Sequence, residues 1–173
     1  MKIRAYDADK DFRSISTWIT DERTHAMWCA NLTAFPLQRE SFDNLLNDIS
    51  ERFGDRPFVA VDDEANVEGF FCFSLNQTTN EGMFKFVMVD PNKRGKGLGK
   101  QMISLAVKRV FEHTKADAVQ LNVFTENPRA RRCYEGAGFR ERKMDVGAFR
   151  YGDEAWGRCN MVITREAFDG RAK

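Results

Sequence analysis

Val89-Asp-Pro-Asn-Lys-Arg-Gly-Lys-Gly-Leu-Gly99 runs from an apolar, strand-like segment through a proline turn into a glycine-rich helix start. Glycines at 95, 97 and 99 remove side chains from the face of the turn, so successive backbone N–H groups can approach an anion. The positive end of the following helix would face the same anion. The segment therefore predicts a phosphate-binding loop between a strand and a helix.

Two common phosphate-binding fingerprints do not fit this loop. A P-loop needs two glycines separated by four other residues and then Lys-Ser or Lys-Thr, whereas Gly99-Lys100 is followed by Gln101 and position 94 is not glycine. A dinucleotide fingerprint needs G-x-G-x-x-G, and here the third glycine falls one place early. The ligand must therefore be assigned from a second motif.

That second motif is Asn127-Pro-Arg-Ala-Arg-Arg-Cys-Tyr-Glu-Gly-Ala-Gly-Phe139, which has the form N-x-x-A-x-x-x-Y-x-x-x-G-F. Asn127 is a good helix N-cap, Pro128 suits the first helical position, and a later glycine, Gly136 or Gly138, can end the helix. Ala130 and Tyr134 are four residues apart and share a helix face. A small residue followed by a phenol leaves room for a ligand and offers it a donor.

In their order and spacing, the two segments resemble the signatures of the GNAT N-acetyltransferase superfamily. The resemblance covers about residues 55 to 165 well, and the N-terminal third only by its order of elements. It implies an α+β fold, a single GNAT-like domain over residues 1–173 with a central twisted mixed β-sheet flanked by helices. The acetyl-CoA-binding core would span about 55–165 and the acceptor-side helices about 8–53.

The resemblance also implies a mechanism in which a substrate amine attacks acetyl-CoA directly, with no covalent acyl-enzyme. Tyr134 would protonate the departing thiolate. The backbone of Val87 to Val89 would pair with the pantetheine arm, and the glycine loop would surround the pyrophosphate. The implied cofactor-binding residues are Val87, Met88, Val89, Arg94, Gly95, Lys96, Gly97, Leu98, Gly99, Lys100, Asn127, Ala130, Cys133 and Tyr134.

The two motifs do not identify the general base that would accept the proton of the amine. Family members often carry a Glu on the strand entering the loop, where this chain has Met83. Glu81 has the same strand parity and could reach the site through a water, so it is the candidate base. Glu68, Asp21 and Glu22 are alternatives.

The resemblance to bacterial-type GNAT proteins implies an amine acceptor, which could be a small-molecule amine or a protein amino group. Trp28, Phe35 and Tyr151 could pack on an amine-bearing ligand. The alternative function is a non-catalytic acyl-CoA-binding or sensing module, in which the loop binds cofactor without turnover.

Composition is that of a soluble globular protein: 173 residues, 42% hydrophobic, 31% charged and a net charge of +1. The balanced charge argues against a general nucleic-acid partner. No signal-peptide region and no apolar run of the roughly 20 residues that a membrane span needs is seen, so we expect a cytoplasmic protein without a membrane partner, monomeric or homodimeric. Four scattered cysteines indicate packing thiols, with no metal site and no disulfide framework.

Hydrophobic periodicity predicts the order of elements around the motifs. Asp9 is expected to cap a first helix that carries Phe12, Ile15, Trp18 and Ile19, after a strand at 3–6. Further helices are predicted within 21–37, over 37–53 and from Leu98 to Phe111. Strands are predicted at 58–61, 67–75, 83–89, 119–124, 139–144 and 156–164, the last two as a hairpin.

Overall fold

The computed structural model describes residues 1–171. Its strands are β1 (Lys2–Ala5), β2 (Arg56–Val61), β3 (Val67–Asn76), β4 (Glu81–Val89), β5 (Ala118–Phe124), β6 (Arg140–Tyr151) and β7 (Glu154–Thr164). Its α-helices are α1 (Ala8–Ser16), α2 (Glu22–Cys29), α3 (Arg39–Phe53), α4 (Leu98–His113), α5 (Pro128–Ala137) and α6 (Arg165–Asp169).

All strands join one seven-stranded sheet in the order β1-β2-β3-β4-β5-β7-β6. Only β4 and β5 run parallel, because α4 carries the chain back between them; every other neighbouring pair is antiparallel. The α+β class and the mixed sheet flanked by helices are confirmed.

Two hydrophobic clusters fill the space on the two faces of the sheet. One joins the sheet to α4 and α5 and includes Met102, Ile103 and Tyr134. The other joins β2, β3 and β4 to helices α1 to α3 and includes Ile15 and Phe42. The sheet is therefore covered by the N-terminal helices on one face and by α4 and α5 on the other.

The first helix differs from the prediction at both ends. Its N-cap is Asp7, whose side chain accepts from the Asp9 backbone N–H at 3.1 Å, so Asp9 lies in the first turn. The helix ends at Ser16, and Trp18 and Ile19 are buried beyond it. Periodicity located the apolar residues but extended the helix too far, because burial after a helix end continues the same pattern.

The C-terminal hairpin is longer than predicted. β6 continues seven residues beyond Met144, to Tyr151, and β7 begins at Glu154. Most of β6 is exposed at the edge of the sheet, so its sequence lacks the apolar alternation by which a half-buried strand is recognised. The short helix α6 was not predicted.

Candidate functional site

The parallel strands β4 and β5 separate halfway along their length. Their pairing covers Glu81 to Phe84 against Ala118 to Leu121, and no pair continues the ladder beyond it within residues 1–171. On its other edge β4 stays paired with β3 as far as Val89. The separation therefore opens a gap inside the sheet and leaves one edge of the end of β4 without a strand partner.

A β-bulge in β4 accounts for the separation of β4 from β5. Cys72 of β3 faces Lys85, and Phe70 faces Met88, so Phe86 and Val87 together face a single residue. Phe86 has a φ of 52°, the left-handed region that a bulky residue rarely adopts. A bulge bends its strand and increases the local twist, which turns the end of β4 away from β5.

The gap forms a cleft of about 700 Å³ that reaches both faces of the sheet. Ile103 of α4 and Tyr134 of α5 line it from one side, and Met27 and Trp28 of α2 line it from the other. The cleft also brings together nearly all the predicted cofactor-binding residues: Val87, Met88, Val89, Arg94, Gly95, Gly97, Leu98, Gly99, Lys100, Asn127, Ala130, Cys133 and Tyr134. Lys96 is exposed and does not line the cleft.

The glycine loop leaves backbone donors free at the cleft. Gly95 and Gly97 have φ values of 83° and 78°, which L side chains rarely adopt. Gly97 is the N-cap of α4, and the first N–H to bond within the helix is that of Gln101, to the Gly97 carbonyl. The N–H groups of the first turn, from Leu98 to Lys100, are therefore available to an anion, as at other helix N-termini.

Gly99 serves packing rather than backbone conformation. A Cβ at this position would lie 3.1 Å from the Cys133 sulfur, a contact tighter than ordinary van der Waals distance. The glycine thus allows α4 and α5 to approach each other and brings the two sequence motifs to one cleft.

Four basic side chains surround the loop. Arg94 and Lys100 were predicted, whereas Arg129 and Arg132 of α5 were not, and all four line the cleft. None of the four forms an ion pair within residues 1–171. Burial, together with the charge of Arg129, lowers the pKa of Arg94. Arg129 and Arg132 lie three positions apart on one helix, a spacing from which their shared face could have been predicted.

Tyr134 lines the cleft from α5. The Asn127 side chain caps this helix by accepting from the Ala130 N–H at 3.1 Å, and the Tyr134 ring packs on Phe139. Burial raises the pKa of the Tyr134 phenol, and the neighbouring Cys133 adds to the shift. The group is therefore protonated at neutral pH and can act as a hydrogen donor.

Cys133 has no feature of a nucleophile. Burial raises the pKa of its thiol, an effect that Arg129 and Lys100 only partly offset. The thiol form, which is the poor nucleophile, therefore predominates at neutral pH.

The predicted base, Glu81, does not reach the cleft. Its carboxylate accepts from Arg142 at 2.8 Å and from the Gln120 amide at 2.6 Å, on the closed part of the sheet. Met83, two residues further along β4, lines the cleft in its place. The strand parity used for Glu81 is right, but the partners on β5 and β6 are remote in sequence and were not foreseen.

The other candidate bases are also engaged or remote. Glu68 accepts from the Lys93 ammonium at 3.1 Å. Asp21 caps α2 by accepting from the Thr24 N–H at 2.8 Å. Neither of them, nor Glu22, lines the cleft.

Of the three aromatic residues expected at the acceptor, only Trp28 lines the cleft. Its indole N–H donates to the Phe86 carbonyl at 2.8 Å and thereby holds the bulged residue of β4. Phe35 packs beside His25 within the N-terminal helices. Tyr151 stacks on Trp156 at the hairpin, with ring centroids 4.9 Å apart. The structure therefore does not bring Phe35 and Tyr151 to the cleft.

Residues 13–139 match the family model described as Acetyltransferase (GNAT) family. The chain belongs to the GNAT acetyltransferase family. The predicted resemblance is confirmed, since the match includes both motifs and most of the sheet.

Two curated relatives match part of the chain. The spermidine N(1)-acetyltransferase of Vibrio cholerae is 30% identical over 106 residues, which span 59% of this chain and 61% of that protein. The 5-NmdU N-acetyltransferase of Pseudomonas phage PaMx11 is 28% identical over 101 residues, or 58% of this chain and 69% of that protein.

A crystal structure of the spermidine N-acetyltransferase from Vibrio cholerae, in complex with CoA and spermine, superposes with a TM-score of 0.81 at 23% identity, covering 96% of each chain. A chimera of that enzyme gives 0.80 at 23% identity and covers 98% of each chain. Both likenesses establish the GNAT fold.

Sequence reasoning missed several lining residues that come from distant elements. Met27 and Leu32 approach from α2 and the turn after it, Asn122 and Phe124 from β5, and Arg158 from β7. None belongs to a motif, so only the fold identifies them. Within residues 1–171 there is no cluster of three or more potential metal ligands, and no helix has the length and apolar character to cross a membrane.

We expect Trp28→Phe to destabilise the protein by about 1–3 kcal/mol, because the Phe86 carbonyl loses its donor. Chemical denaturation measures this loss. Trp18→Phe is the matched control, since Trp18 is more buried but makes no indole hydrogen bond within residues 1–171. The loss in Trp18→Phe sets an upper limit for the cost of the smaller ring alone, and a Trp28→Phe variant as stable as the parent protein would show that the bond to Phe86 contributes nothing.

Proposed function

We propose that the protein is an N-acetyltransferase that moves an acetyl group from acetyl-CoA to a primary amine. The observation that carries the proposal is the cleft between β4 and β5, which joins an anion-binding helix start to a protonated, buried phenol. The names of both curated relatives denote acetyl transfer to nitrogen, which supports an amine acceptor.

The residues of the cleft fit coenzyme A along its length. Its pyrophosphate suits the free N–H groups of Leu98 to Lys100, while the unpaired charges of Arg94, Arg129 and Arg132 suit the phosphates. The free edge of β4 from Val87 to Val89 can pair with the amides of the pantetheine arm as a strand would. An N–H of the same edge would polarise the thioester oxygen.

In the proposed reaction, the amine nitrogen forms a bond to the thioester carbon and the carbon–sulfur bond breaks. The nitrogen loses a proton to solvent. The Tyr134 phenol donates a hydrogen bond to the departing sulfur, and solvent completes the protonation of the thiolate. We assign helices within 8–53 to the acceptor side, with Trp28 and Met27 on that wall. The cytoplasmic location, the monomeric or homodimeric state and the lack of nucleic-acid and membrane partners stay predictions.

The rival function, an acyl-CoA-binding module without turnover, shares the loop and the strand edge. Tyr134 favours the enzyme, because a binding module needs no donor at the thioester end. Release of free thiol from acetyl-CoA in the presence of a panel of amines separates the two functions. Binding without release from any amine would favour the module.

We expect coenzyme A to stabilise the fold by about 2.7 kcal/mol at a concentration 100 times its Kd. Gly97→Glu should abolish this shift, because its carboxylate would occupy the anion position at the start of α4. Gly54→Glu is the control, since Gly54 has a similar φ of 71° at the end of α3 but does not line the cleft. A melting temperature indifferent to coenzyme A in the parent protein would contradict the proposed function.

We expect Tyr134→Phe to lower kcat about 10²-fold, the low end of the range for general acids, because a thiolate is a fairly good leaving group. The affinity for coenzyme A should hardly change, since the ring remains. Steady-state rates and a binding titration measure the two quantities. Tyr6→Phe, at another buried phenol whose pKa burial raises, should leave kcat unchanged. Equal losses of binding and turnover in Tyr134→Phe would assign the phenol to packing.

The pH dependence of kcat/KM should follow the pKa of the substrate amine. An alkylamine with a pKa near 10.4 is less than about one part in a thousand free base at pH 7, and no carboxylate or histidine lines the cleft within residues 1–171 to accept its proton. The rate should therefore rise with pH toward the amine's own pKa, and the rise should shift to lower pH for a less basic amine.

Profiles for two amines of different basicity, in the parent and in Glu81→Gln, test this expectation. The mutant's profiles should superimpose on the parent's, because Glu81 is bound to Arg142 outside the cleft. A rise at one pH for both amines that disappears in Glu81→Gln would instead make Glu81 the base.

A further inference from the structure

The charges that line the cleft are all of one sign. Within residues 1–171, no aspartate, glutamate or histidine lines the cleft. Its basic lining residues are Lys85, Arg94, Lys100, Arg129, Arg132 and Arg158. Those around the glycine loop can be neutralised by the phosphates of coenzyme A. The remaining two are Lys85 of β4 and Arg158 of β7, which belong neither to the glycine loop nor to α5.

Carboxylates just outside the cleft are already bound. Asp55 binds the Lys85 ammonium, and Asp145 accepts from Arg158 at 3.2 Å and also binds Lys143. Asp21 is occupied by the N-terminus of α2. These carboxylates lie beside residues of the lining, and each already has a cation or an N–H group as a partner.

The wall that α2 contributes is mainly apolar, with Thr24 as its polar residue. Met27, Trp28 and Leu32 line the cleft from this side, and Leu32 is 60% exposed. Met83 faces them from β4, at the position where a carboxylate was expected. A ligand with an apolar surface would bury these side chains favourably. A second ammonium group on that part of the ligand would instead lose its water without gaining a counter-charge.

From this arrangement, and resting on the acetyltransferase function proposed above, we propose that the acceptor is a primary monoamine on an apolar or aromatic body rather than a polyamine. The acceptor would carry its single nitrogen to the thioester and place its apolar part against Met27, Trp28, Leu32 and Met83. Selection follows from the missing counter-charge, so a second ammonium on an otherwise identical chain should weaken use of the substrate.

Octylamine and 1,8-diaminooctane provide that comparison, since they differ only by a distal amino group. Thiol release at saturating acetyl-CoA gives kcat/KM for each. In the parent protein we expect kcat/KM for octylamine to be at least about tenfold higher than for 1,8-diaminooctane. A ratio of this size corresponds to a modest free-energy cost for placing the second ammonium without a counter-charge. A diamine or spermidine used as well as octylamine would overturn the proposal while leaving the acetyltransferase function intact.

Met83→Glu tests the cause by placing a carboxylate on the acceptor side, and Met83→Gln is the neutral control of the same size. We expect the glutamate variant to lower the octylamine preference at least threefold and the glutamine variant to retain it. Equal changes in both variants would show that shape, not charge, sets the preference, and would overturn the proposal.

The shift in melting temperature caused by coenzyme A verifies that each variant is folded and binds cofactor. If coenzyme A stabilises the parent but no amine of either class releases thiol, the acetyltransferase function fails, and the acceptor proposal fails with it. Failure of the acceptor proposal alone is recognised by turnover with the opposite preference.

Discussion

The local bend of β4 is the constraint on which the rest of the site depends. Strand pairing with β3 continues through it, so the bulge at Phe86 must change the direction of the strand without detaching it. A left-handed φ on a bulky residue costs about 1–2 kcal/mol. Burial of the Phe86 ring and the bond from Trp28 to its carbonyl offset that cost. The opened edge then presents backbone groups that need partners, and an extended ligand arm with amides can supply them.

Charge in this molecule is segregated although the net charge is only +1. Away from the cleft, many charged side chains form local pairs, such as Arg39 with Asp43 or Arg131 with Glu135. The basic groups that line the cleft around the glycine loop lack such partners within residues 1–171. Their positive field, added to the start of α4, favours a highly charged anion at that end of the cleft.

Sequence reasoning predicted what short-range chemistry determines. The left-handed glycines before α4 and the Asn127 cap depend on neighbours within a few residues, so the motifs could be located before the fold was known. Glu81 and Trp28 could not be placed in this way. Their partners, Arg142 and the Phe86 carbonyl, are 61 and 58 positions away. Which side chains meet across the sheet depends on strand order and register, and neither is encoded in a local pattern.

In the proposed reaction, the environment of Tyr134 limits how its proton can be used. Burial raises the pKa of the phenol above its usual value near 10, whereas a thiol ionises near 8.5, so complete transfer of the proton to a free thiolate is uphill. The phenol is therefore best suited to stabilise negative charge as it develops on sulfur, through a hydrogen bond that shortens while the carbon–sulfur bond lengthens. Because the same burial removes competing water, that bond is stronger than it would be in solvent. Protonation of the thiolate can then be completed by water once the product leaves, which requires no second ionisable group in the cleft.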